Sequence, residues 1–276
     1  MIQLKEVPLN THIALCREAS MSAMSIGIGL THIRRYDFSQ TGFFYSGMHS
    51  YATGIERLLK LIVIYEHRLA NSDAFPSNAQ LKSYSHGIKD LLEFAKNTAS
   101  VRLSEYQVFD ISNDAIFEKV IEYITDFAYQ ARYYNLDYIS GKIQKNDEPL
   151  KRWDSEICPE IIKRHHKNSK RKSTLMKTIA KELDPITFVS HHSDQGHQIS
   201  NLQDLFQLGE LSPTKQKYSM YYLYRIANFL SDILTHLERV VRYFPTLRDF
   251  FVIYRIDDSK HILRKTSWNP MPPYKF

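Results

Sequence analysis

The stretch GFFYSGMHSYATGIERLLKLIVIYEHRLA, Gly42–Ala70, constrains this chain more than any other, because it holds no proline and reads as one long helix. Between positions 55 and 64 the apolar side chains Ile55, Leu58, Leu59, Leu61, Ile62, Val63 and Ile64 take up most of its circumference. Only Glu56, Lys60 and His67 form a narrow polar strip. A helix apolar nearly all round must be covered by several neighbours, so it is expected at the centre of a helical fold. Gly47 and Gly54 each lower helix propensity by about 1 kcal/mol relative to alanine, and their presence points to another backbone passing close.

A chain of 276 residues, 43% of them hydrophobic, can bury a real core. No apolar run approaches the length of a spanning helix, and the start MIQLKEVPLN has neither the basic nor the apolar part of a secretory signal. A cytoplasmic protein without a membrane partner is expected. The two cysteines, Cys16 and Cys158, lie far apart without CxxC or Cys/His spacing, which argues against a disulfide framework and a zinc finger. The net charge of +6 suits an anionic partner such as nucleic acid.

In chain order, residues 1–10 read as an irregular arm and 12–35 as one helix weakened by Gly27 and Gly29 or as two broken helices. Ser39 is a candidate cap for the central helix. After a turn-rich loop at 71–78, residues 80–96 form an amphipathic helix with the stripe Leu81, Tyr84, Ile88, Leu91, Leu92 and Ala95. Ser112, Asn113 and Asp114 cap a further helix over 115–132. Residues 141–213 are richer in charge and punctuated by proline, and read as an inserted polar region with short helices. Pro213 is expected to open a second long helix over 214–244 that packs along the central one. The run DFFVIYRIDDSKHILRKTSW predicts a C-terminal β-hairpin turning at Asp257–Lys260. The predicted fold is an all-α bundle in three segments, 1–140, 141–213 and 214–276, forming one compact domain with that small hairpin.

The order of GIERLLK (54–60), SHGIKDLL (85–92) and ARYYN (131–135) resembles the HEPN superfamily of helical bundles, over roughly residues 40–140. The resemblance implies a metal-independent, cofactor-free endoribonuclease of toxin or phage-defence type, acting as a homodimer and held by a protein partner or antitoxin. In that family an Arg is followed after four to six residues by His. The His moves a proton at the ribose 2′-OH or leaving oxygen, and the Arg offsets charge on the phosphorane. Arg132 stands where the resemblance puts the family's Arg, with no His in the window after it, and the literal spacing occurs at Arg255 and His261. The residues themselves suggest a further pair: Arg225, Asn228, Asp232, His236 and Arg239 share one helix face, and Asp232 is placed to orient His236 and raise its pKa.

The strongest charge run is KRHHKNSKRK (163–172), whose Lys163, Arg164, Lys167, Lys170, Arg171 and Lys172 suit the phosphates of RNA. The stretch SHHSDQGH (190–197) reads as a polar loop and no metal site is assigned. No GxxxxGK[ST], GxGxxG, GxSxG or HExxH pattern occurs. The alternative to the ribonuclease is a catalytically silent helical module that binds RNA or a partner protein.

Overall fold

The first two helices meet where glycine removes a side chain. In the computed structural model, which describes residues 7–84, 87–105, 111, 114–129, 133–143, 147–168, 170–241 and 246–270, α1 (Leu9–Arg35) and α2 (Gly42–Ala70) form an antiparallel hairpin. A Cβ on Gly29 would stand 2.6 Å from that of Tyr51, and one on Gly54 would stand 2.7 Å from the backbone nitrogen of Ile26. The Ser22 hydroxyl donates to the Gly54 carbonyl at 2.7 Å. The backbone approach expected at Gly54 is therefore present, and Gly27 and Gly29 leave α1 unbroken. By length and composition α1 is apolar enough to cross a membrane, yet Leu15, Ala19, Ala23, Ile26 and Leu30 lie in the core against α2. Ser39 does not cap α2; its hydroxyl donates to Asp37 at 2.7 Å, and no side chain caps that helix.

α2 is the central helix, in contact with α1 and with the helices at 88–102, 115–129 and 202–241. The single helix expected over 80–96 is two: α3 (Asn78–Ser83), opened by a capping box between Ser77 and Gln80, and α4 (Ile88–Arg102), which begins after Gly87. The Asp114 carboxylate accepts from the Ile116 N–H at the start of α5 (Ala115–Tyr129), as expected of a cap. A short α6 (Tyr134–Ile139) follows.

The inserted region is ordered around buried anchors. α7 (Pro149–Arg152) passes through a π-helical turn, Trp153–Ile157, into α8 (Cys158–His165). Trp153 is buried with its ring 4.9 Å from Tyr123 and 6.0 Å from Phe44, which ties the segment to α5 and α2. α9 (Lys170–Leu183) leads to a two-stranded antiparallel hairpin, β1 (His191–His192) with β2 (Gln198–Ile199). Ala180, Val189, Ile199 and Leu202 make a small second core beneath it.

Two expectations about the last third are corrected. The second long helix, α10 (Leu202–Val241), begins eleven residues before Pro213, which sits inside it. Proline in a helix removes an N–H and crowds the carbonyl four residues back; here that residue is Gly209, and the Ser212 hydroxyl donates to the neighbouring Leu208 carbonyl at 2.8 Å. The helix runs through, packed along α2 as expected. The small hairpin is in the inserted region, and the C-terminal run winds into a 3-10 helix, Leu247–Tyr254, followed by α11 (Ser259–Arg264). Its β-prone residues lose to three anchors on α10: Glu238 accepts from the N–H groups of Leu247 and Arg248, Asn228 donates to the Tyr254 carbonyl at 2.9 Å, and the Tyr224 hydroxyl donates to the Ile256 carbonyl at 2.9 Å. Asp258 then caps α11 through the N–H groups of Lys260 and His261.

Candidate nucleic-acid interface

The basic run 163–172 occupies the end of one helix and the start of the next. Lys163, Arg164 and His165 close α8, and Lys170, Arg171 and Lys172 open α9, their side chains lying outside the described part of the structure. Lys163, Arg164 and Lys167 are exposed. His165 stacks flat on Tyr218, ring centroids 3.7 Å apart and 7° between planes, and its Nε2 lies 3.0 Å from the Tyr222 hydroxyl. Arg164 donates to the same hydroxyl at 3.0 Å and pairs with Asp114. Burial and the neighbouring Arg164 push the His165 pKa below its ordinary value, so its ring is neutral at pH 7. The Arg164 guanidinium is held above its usual range, first by its hydrogen bond to Asp114.

Tyr222 is buried, and its hydroxyl fixes His165 and Arg164. Beside this end of α8, the early turns of α10 and the first half of α9 line a half-open cavity of about 260 Å3. His166 reaches its mouth and holds Thr214 Oγ1 through Nδ1 at 3.2 Å.

The other candidates gather elsewhere. Arg132 lies outside the described residues. The C-terminal segment lies along α10, so that Arg255 Nε donates to Asp232 Oδ1 at 3.0 Å and Arg225 Nη1 stands 3.6 Å from an Asp257 oxygen. Arg225 is buried, and its helix face docks the chain end. His236 departs from expectation: its pKa is lowered, first by burial and then by Arg239 and Arg255, which outweigh Asp232. Asp232 does raise it, as its place one turn before His236 predicts, but by less than burial and Arg239 lower it. His261 is exposed in the first turn of α11. The structure thus adds Arg255 to Asp232 and His236, which their spacing had already placed on one helix face, while Arg225 is buried and faces Asp257.

A third polar centre was not legible at all. Lys215 on α10 pairs with Asp154 in the π-helical turn and with Asp194 in the β-hairpin at 3.3 Å, and the three side chains are 9%, 11% and 5% exposed. Burial alone would lower the Lys215 pKa, but Cys158, Asp154 and Asp194 together raise it by more. Asp194, within the stretch read as a polar loop, is buried and its pKa is raised by that burial. Among the described residues no three His, Cys, Asp or Glu side chains are grouped to hold a metal ion. No family model matches the chain, and no curated protein and no solved structure matches it.

Proposed function

We propose that this protein binds single-stranded RNA along the basic segment 163–172. The observation that carries the proposal is the rigid setting of its start: Arg164 and His165 are fixed on Tyr222 and Tyr218, while Lys163 and Lys167 flank them in solvent. Exposed lysines supply salt-dependent attraction to phosphates, and a fixed scaffold between them lowers the ordering cost of binding. The whole chain's charge of +6 favours the same partner. Substituting Lys163, Lys167, Lys170, Arg171 and Lys172 by alanine together should weaken binding about tenfold or more at moderate salt. It should also flatten the slope of log affinity against log salt, by roughly 0.7 for each phosphate no longer neutralised. Fluorescence anisotropy with a labelled strand across a salt series measures both. Equal affinity and slope for variant and parent would overturn the proposal.

A second reading is the metal-independent endoribonuclease of HEPN type, acting as a homodimer with a protein partner or antitoxin. It is favoured by the proximity of Arg255, Asp232 and His236, with His261 on the helix that follows. The lowered pKa of His236 keeps a neutral imidazole available as a base near pH 7. Under this reading the purified protein cleaves total RNA in EDTA, and His236→Ala or His261→Ala slows cleavage at least about a hundredfold with RNA affinity kept. Arg132→Ala tests the remaining arginine. A parent that never cleaves, or a monomer by light scattering, rejects the ribonuclease and leaves the binding module.

A further inference from the structure

The cavity between α9 and α10 carries one group that phosphate binding does not explain. Its floor and walls include the apolar side chains Met176, Phe206 and Leu211, and its polar lining includes Gln203, Gln207 and Glu210. Lys177 and His166 stand at the same cavity, next to the basic end of α8. Among the described residues neither Glu210 nor Lys177 is engaged in an ion pair or side-chain hydrogen bond. A carboxylate here repels phosphate, so it is out of place in a surface that only tracks a backbone. The volume of about 260 Å3 falls below the roughly 300–1,000 Å3 of sites for drug-sized ligands and suits one flat ring system.

We infer that this cavity takes an unpaired guanine of the RNA strand, an inference that rests on the RNA-binding proposal above. Sequence-specific RNA recognition targets splayed-out bases, stacked on an aromatic ring and hydrogen-bonded along the Watson–Crick edge. Guanine is the one common base whose edge offers two adjacent donors, N1–H and N2–H2, and these match the two oxygens of the Glu210 carboxylate. Its O6 then accepts from an amide of Gln203 or Gln207. Adenine, cytosine and uracil each present an acceptor where the second donor is required, which leaves one carboxylate oxygen facing a lone pair. Phe206 and Met176 cover the ring faces. Lys177 and His166 meet the flanking phosphate, which continues into Lys167 and Lys163.

The test uses the full chain and three labelled strands: an oligouridylate, the same strand with one central guanosine, and that strand with inosine in its place. The guanosine strand should bind about tenfold tighter than the oligouridylate, and inosine, which lacks the N2 donor, should lose most of that gain. Glu210→Gln should abolish the preference while oligouridylate affinity stays at the parent's value, which separates this site from general phosphate attraction. Equal affinity for all three strands, or an unchanged preference in Glu210→Gln, overturns the inference and leaves the RNA-binding proposal intact. Calorimetry with the four free nucleoside 5′-monophosphates decides it independently if no strand binds at all. Guanylate binding alone of the four then supports the cavity while the RNA reading fails, and absence of guanylate binding overturns the cavity.

Discussion

Replacing Lys215 with alanine should cost about 3–5 kcal/mol of stability at neutral pH, the usual consequence of leaving buried carboxylates without their counter-ion. The ammonium serves Asp154 and Asp194 at once, and with all three side chains about nine-tenths buried, water cannot take its place. Gln195 also donates to Asp154, at 3.1 Å, and it carries no charge. The loss should shrink as pH falls, because protonating Asp194, whose pKa is already raised by burial, removes unpaired charge. Denaturant unfolding at two pH values measures this, and a combined Lys215→Met, Asp154→Asn, Asp194→Asn variant should recover most of the stability by removing every charge together. A single variant as stable as the parent would show that the centre does not bind the inserted region to the bundle.

The second large effect is a pH dependence centred on Glu238. Its carboxyl is 3% exposed, and burial pushes its pKa up to about 7 against an ordinary 4.5, despite the N–H groups of Leu247 and Arg248 and the nearby Arg248 charge and Tyr65 hydroxyl, which favour the anion. A group whose folded pKa is raised contributes stability that is complete below its unfolded pKa and is lost as pH rises through the folded one. The gap between 4.5 and about 7 corresponds to about 3 kcal/mol, lost between roughly pH 4 and pH 7.5. Cys16, also near this carboxylate, has its own thiol pKa raised, first by burial and then by Glu238. Glu238→Gln keeps an acceptor for the 3-10 helix and removes the titration. The stability difference between parent and variant should therefore change by that amount over this window, and a difference flat with pH would refute the assignment.

Both effects lie at places where segments distant in sequence meet, and this is where sequence reasoning ran out. The periodicity of Gly42–Ala70 was enough to put it at the centre, since apolar residues on nearly all sides of a helix leave no solvent-facing solution. Glycine at 54 announced a close helix, because its cost in helix propensity has no other return there. Asp114 as a cap was readable for the same local reason, its side chain serving an N–H two residues away.

The C-terminal run could not be read this way. Its β-prone residues state a local preference worth a fraction of a kcal/mol each, and Glu238, Asn228 and Tyr224 override it with hydrogen bonds to its backbone. The same holds for the candidate sites. Which residues carry charge is written in the chain, and so is the density of the run 163–172. That Arg255 spends its charge on Asp232, that His165 lies flat on Tyr218, and that Glu210 faces a cavity beside lysines are results of packing. A residue's type and its neighbours within a turn or two determine its helix and its face; the low-dielectric partners that set its pKa and its chemistry come from distant elements, as Glu238 does for Cys16, and exist only once the chain has folded.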